Sequence, residues 1–279
     1  RTAVKSTVKN GEKVIFQNLK PALFTLGIWD NTNGIIISDF SHTLYQWFRD
    51  KTYKKNFRFY TQRLLYKKLY KLIALTDNLA DNLHHVYGVP ISRIKYVPLP
   101  LDLEYYYQKP KPTSKKPKVL FVGGHFYRKG GNHLLEFWET TLKDRCQLII
   151  MTQNKLKSPK DIQIYNNVSK GDSLHKQLFK ECDIFILPTN RDAYPVVLGE
   201  AAAASMAIIT TKFALGAKNI IKDGLSGFIT ETPEDCIKSL LTLLDNKDLI
   251  DQFKTVSNEI VLEQFTAQKF RQAFFKAIK

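Results

Sequence analysis

The chain has 279 residues, with 42 Lys+Arg against 26 Asp+Glu and a formal charge of +16. Its 44% apolar and 12% aromatic content can pack cores for about two domains of roughly 150 residues, which excludes a mainly disordered or collagen-like chain. No apolar run approaches the roughly 18 residues of a spanning helix, so no integral membrane protein is expected.

The charge is uneven. Residues 1–118 carry a net +13 and residues 119–279 a net +3. A basic half beside a near-neutral one suggests a surface that meets phosphate, nucleic acid or acidic lipid. Cys146, Cys182 and Cys236 lie far apart without metal spacing, and read as reduced thiols of a cytosolic protein.

The chain starts at Arg1, in what reads as a helix. Short apolar runs then predict strands at 13–18, 34–39, 72–76 and 94–98, with helices at 57–70 and 79–87. The run KPKPTSKKPK at 109–118 cannot hold a helix or central strand, because Pro lacks a donor and the lysines repel. It is expected to be an exposed linker between a partial domain at 1–108 and a second domain at 119–262. In that second domain, strands are expected at 118–123, 147–152, 162–165, 183–188, 207–211 and 227–230. Helices at 130–143, 174–181, 196–205, 235–244 and 249–261 alternate with them, which predicts an α/β, doubly wound parallel sheet. A last helix near 265–278, within a tail at 263–279, is expected to cross back to the first domain.

Two segments could carry chemistry. VGGHFYRKGG, residues 122–131, follows a strand and opens a helix. Its glycines allow close backbone approach, and Arg128 and Lys129 stand at a helix N-terminus, a combination that suits an anion. The spacing is neither the dinucleotide fingerprint nor a P-loop, and an ordinary turn with two solvated cations stays open. In DAYPVVLGE, residues 192–200, Asp192 lies in a loop and Glu200 in an otherwise apolar helix. A carboxylate there needs a partner, and hydroxyls of a ligand at the carboxyl end of the sheet would serve. A solvent-edge Glu is the alternative.

In this order the segments resemble glycosyltransferases of family 4, the group 1 retaining enzymes. FVGGHFYRKGG, DIFILPTNRDAYPVVLGEA, GAKNIIKDGLSGFI and, in the first half, LIALTDNLADNLHHVYGVPISRIKYVPLPLD carry the resemblance, over about residues 35–279. It implies a GT-B fold, two Rossmann-like domains with a cleft between them. It implies transfer of a sugar from a UDP- or GDP-hexose to a glycan or lipid-linked acceptor, with retention of configuration, in cell-envelope polysaccharide biosynthesis. Lys129 and Arg128 would bind the donor diphosphate, with Gly123, Gly124, Tyr194 and the backbone of Val196 and Val197 around it. Glu200 would hold the ribose hydroxyls, while Asp192 and His42 would stand near the donor sugar. No cofactor or metal would be required.

Gly124 replaces the family's usual arginine, Asp192 its glutamate, Ser205 and Ala207 its Gly and Pro, and Asn219 a glutamate. A non-catalytic sugar-nucleotide-binding subunit is the alternative these departures leave. Residues 1–34 lack the family's glycine-rich loop, so the N-terminal domain reads as incomplete, short by about 100 residues.

Residues 49–71 hold nine Lys/Arg, one Asp and many aromatics. The segment suits an anionic membrane surface, at the inner face of a membrane in the cytoplasm, or a solvated basic face. Nucleic acid is not expected, because no recognition motif accompanies the charge.

Overall fold

The computed structural model describes residues 12–279, apart from positions 28, 51 and 158 and the side chains of 48–50. The helix expected at the very start lies outside the described residues. The chain divides into two units. The first comprises residues up to Leu99 together with Ala267–Lys279, and the second is Pro100–Thr266.

The first unit is a parallel sheet in the order β1-β2-β3-β4, formed by Val14–Phe16, Gly34–Ser38, Lys71–Ala74 and Ile94–Tyr96. Ile36 pairs with Leu72 and Ile73 with Lys95, which fixes the register. Helices α1 (Leu19–Phe24), α2 (His42–Asp50), α3 (Phe57–Lys68) and α4 (Asp77–His85) connect the strands. Asn56 caps α3 by accepting from the Phe59 N–H, and Thr76 caps α4 by accepting from Leu79. The last helix, Ala267–Ile278, packs Phe270, Phe274 and Ala277 on Ile35, Ile73 and Val97 of this sheet.

The second unit is a six-stranded parallel sheet. Its strands are β5 (Lys118–Val122), β6 (Gln147–Met151), β7 (Gln163–Tyr165), β8 (Ile184–Leu187), β9 (Ala207–Thr211) and β10 (Gly227–Thr230). Their spatial order is β10-β9-β8-β5-β6-β7. The chain winds outward from β5 through β6 and β7, then restarts at β8 and winds the other way. Buried runs such as Val119–Phe121 and Ile184–Leu187 are apolar throughout, because helices cover both faces of a parallel sheet. These helices are α5 (Leu103–Tyr106), α6 (Gly131–Glu136), α7 (Ser173–Glu181), α8 (Val196–Ala203), α9 (Ala217–Ile220), α10 (Pro233–Asp245), α11 (Lys247–Gln264), with the tail helix as α12.

The structure differs from expectation in two places. The single helix expected at 130–143 stops at Glu136 and continues as a wider π-type turn over Trp138–Leu142. There the Leu142 N–H reaches back to Phe137, and both Trp138 and Leu142 enter the core. The segment 109–118 is exposed over much of its length, yet it is tied into the second unit rather than spanning between units. The carboxylate of Asp183 accepts from the backbone of Ser114 and Lys118 and from the Lys254 ammonium at 2.7 Å. Lys254 also donates to the Thr113 hydroxyl and the Lys111 carbonyl. Asp183 and Lys254 are fully buried, so each offsets the other's desolvation. Burial alone would raise the Asp183 carboxyl; Lys254 and the Lys118 N–H hold it below its ordinary value.

Candidate active site

In a doubly wound sheet, the crevice outside the carboxyl ends of the strands, where the winding reverses, is the ligand site. Here the reversal lies between β5 and β8, which are neighbours. The loops leaving these two strands carry both segments singled out from the sequence.

After β5, the Gly123 N–H donates to the Met151 carbonyl and keeps the chain in line with β6. A tight turn follows, with Lys129 N–H to His125, Gly130 N–H to Tyr127 and Gly131 N–H to Phe126. Gly130 has φ +77°, and a Cβ there would stand 1.8 Å from the Pro188 carbonyl oxygen at the end of β8. Only glycine allows that approach, and it seats the Arg128–Lys129 turn on the β8 loop.

After β8, the Asp192 N–H donates to the Phe213 carbonyl, and its own carbonyl accepts from Leu215. This double tie holds the Asp192 side chain against Lys129, where the two form an ion pair. Both are largely buried. Burial lowers the Lys129 ammonium to about 8, and the nearby Arg128 lowers it further; the Asp192 carboxylate acts against both. Arg128 donates to the Arg191 carbonyl at 2.9 Å and is lowered by burial and by the Arg191 charge. The site thus gathers three cations, Arg128, Lys129 and Arg191, around one carboxylate.

Val196 and Val197 open α8. The Val196 N–H donates to the Tyr194 carbonyl at 2.9 Å, so Tyr194 shapes the turn into the helix. Glu200 lies one turn further along. Burial raises its carboxyl, while the Tyr106 hydroxyl, hydrogen-bonded to it, and Lys170 pull it down. Tyr106 itself is raised by burial and by the Glu200 charge. Gly124 lines a pocket of about 450 Å³ with Gln153, Asn166 and Ser169, beyond the ends of β5, β6 and β7.

The structure therefore brings together Gly123, Arg128, Lys129 and Asp192, with Gly124 at the adjoining pocket. Glu200 has its own neighbours, Tyr106 and Lys170. His42 belongs to the first unit, where it opens α2 and its ring meets the Asn56 side-chain amide at 3.3 Å. There it lines a pocket of about 560 Å³ with Lys20, Asp39, Ser41 and Arg58. Sequence reasoning missed Tyr106, Lys170 and Arg191. Nothing in spacing ties Tyr106 to a carboxylate 94 positions on, and Arg191 reads as a solvated loop cation.

A family model described as glycosyl transferases group 1 matches residues 106–258, more than half of the chain and all of the loops above. The chain belongs to this family. This glycosyltransferase is 23% identical over 257 residues to the N,N'-diacetylbacillosaminyl-diphospho-undecaprenol alpha-1,3-N-acetylgalactosaminyltransferase of Campylobacter jejuni. The match covers 86% of the chain and 67% of that relative. A glycosyltransferase from Rickettsia africae is similar in structure, with a TM-score of 0.73 and 16% identity over 100% of this chain and 79% of that one. WaaG, a glycosyltransferase involved in lipopolysaccharide biosynthesis, gives 0.70 and 17% over 99% and 79%. At such identities the structures speak for the fold alone, and with two parallel α/β units that fold is GT-B. Among the described residues, no helix is long and apolar enough to cross a membrane.

Proposed function

We propose that this glycosyltransferase, a member of family 4, takes a UDP- or GDP-hexose and transfers the sugar to a lipid-linked glycan with retention of configuration. The cationic cluster at the reversal of the sheet carries the reading: Arg128 and Lys129 meet the donor diphosphate there. A diphosphate arriving at Lys129 displaces the Asp192 carboxylate, which then faces the donor sugar. Gly123 and Gly124 leave room for the phosphates, and Tyr194, Val196 and Val197 bound them from the α8 side. The pocket beyond Gly124 takes the nucleoside. Its far wall at Ser169 adjoins Lys170, which acts electrostatically on Glu200, so a ribose there reaches the Glu200 carboxylate.

In the reaction, the bond from the anomeric carbon to the diphosphate breaks and a bond to the acceptor oxygen forms on the same face. The acceptor proton balances the charge left on the diphosphate. Arg128 and Lys129 stabilise that developing charge in a site already partly dry. Cations on the protein do this without a metal, so EDTA should leave the rate unchanged.

The acceptor reading rests on the relative, whose name places a sugar on diphospho-undecaprenol. The pocket at His42 suits the polar head of such an acceptor, with Lys20 and Arg58 for its phosphates. A lipid-linked acceptor would place the protein in cell-envelope polysaccharide assembly, in the cytoplasm at the inner face of a membrane. A thermal-shift panel of UDP-, GDP- and ADP-hexoses tests the donor reading, since any ligand of the folded state raises Tm. One nucleotide class should raise Tm in the native protein and not in Glu200→Ala. A flat panel would remove the reading.

A further inference from the structure

Helix α3 presents two apolar faces. Phe59, Leu65 and Tyr66 point inward, and the rings of Phe59 and Tyr66 pack on Tyr87. That face satisfies the core. Phe57, Tyr60 and Leu64 recur at the spacing of a second line along the helix, and they are 87%, 49% and 71% exposed. Lys67 and Lys68, both exposed, continue this line one turn further on. On α1, which packs against α3, Phe24 is also largely exposed. Across residues 52–71 the chain has seven Lys/Arg and no acid.

We infer that this outer line of α3 is where the protein docks on an anionic lipid surface. An exposed Phe and Leu on a folded helix gain by leaving water, and the cations beside them need negative charge opposite. A bilayer with acidic headgroups supplies both at once. A second copy of the chain would set the same lysines against each other. A nucleic acid would answer the cations but not Leu64. The pocket lined by His42 and Arg58 uses the same helix, through Arg58, Gln62 and Leu65 on its neighbouring face. Docking along Phe57–Leu64 therefore holds that pocket beside the headgroups. The inference deepens the reading of the acceptor as lipid-linked and rests on it.

The test is co-sedimentation of the full chain with phosphatidylcholine vesicles carrying phosphatidylglycerol at about 30%, without donor or acceptor. The native protein should sediment with these vesicles and not with pure phosphatidylcholine. Phe57→Ser/Leu64→Ser should lower binding about tenfold or more, and Lys67→Glu/Lys68→Glu should do the same. Both variants should keep the native melting temperature, because all four side chains are exposed. With a short-chain, water-soluble acceptor analogue, Phe57→Ser/Leu64→Ser should transfer sugar at the native rate, while transfer to acceptor in vesicles falls. Loss of transfer to the soluble analogue by the native protein itself would strike the functional reading and not the docking face. Equal sedimentation of native and variant proteins, no sedimentation at all, RNA binding abolished by the same substitutions, or a dimer dispersed by them would overturn the inference.

Discussion

Lys129 and Asp192, 63 positions apart, meet as an ion pair where the sheet of the second unit reverses its winding. Each is held by its own loop, Lys129 by the turn that Gly130 seats on Pro188 and Asp192 by backbone bonds to the 213–215 segment. A carboxylate thus occupies the place at Lys129 that a phosphate would take, and the two compete.

That competition has a measurable sign. Asp192→Asn keeps the shape and removes the rival charge. UDP or GDP, whichever binds, should bind Asp192→Asn several-fold tighter than the native protein by calorimetry. Transfer should nevertheless fall by about a hundredfold, since electrostatic contacts made at the transition state are worth that much. Weaker nucleotide binding in the variant would contradict the competition.

Tyr106 positions Glu200. Its hydroxyl donates to the carboxylate and favours the charged form, against burial, which raises it. In Tyr106→Phe the Glu200 carboxyl therefore rises further. Donor KM should increase about three- to tenfold with kcat nearly kept, as expected for one lost hydrogen bond to a charged group. The acid limb of the kcat/KM profile should also move to higher pH. A purely structural role for Tyr106 would not move that limb.

The buried Lys254–Asp183 pair anchors the 109–118 segment. Lys254→Ala leaves a buried carboxylate alone and should cost about 3–5 kcal/mol in urea unfolding. The native Asp183 carboxyl lies below its ordinary value, so its contribution is present above the ordinary carboxylate range. It is lost as pH falls through the lowered value. In Lys254→Ala, burial is no longer opposed and the carboxyl rises, so this acid-linked loss should vanish from a series of unfolding midpoints.

Ser205 takes a left-handed φ of +57°, at the position where the family resemblance has glycine. Its hydroxyl donates to the Gln108 carbonyl at 2.5 Å and accepts from Asn258 at 2.9 Å, which offsets the strain. Ser205→Ala keeps the strain and loses both bonds, and should cost about 1–2 kcal/mol. Ser205→Gly loses the bonds but relieves the strain, so it should cost less than Ser205→Ala. The reverse order in thermal unfolding would refute this account.

Much of this was legible in the sequence, for physical reasons that differ by element. Runs such as KVLFV and IFIL are apolar throughout and bounded by Gly or Pro, so both the strands and their parallel setting could be read from them. The Gly-rich turn and the Asp192–Glu200 segment were legible because anion binding at a helix start needs those residue types in that order. What stayed hidden depends on pairs distant in sequence. Lys254 reads as a surface lysine in an amphipathic helix, and only Asp183, 71 positions earlier, explains its burial. Helix α1, LKPALF, is short and holds a proline, so no periodicity marks it. The second apolar line of α3 is invisible in a run where inward and outward faces are both aromatic. The Tyr106–Glu200 contact likewise arises only when α5 and α8 pack.

The central claim is that Lys129 holds the donor diphosphate at the reversal of the sheet. Calorimetric titration of native protein and Lys129→Ala with UDP and with GDP tests it most directly. The account predicts that one nucleotide binds the native protein and that Lys129→Ala weakens it about a hundredfold or more, with an unchanged unfolding profile. Native-strength binding by a folded Lys129→Ala would contradict it.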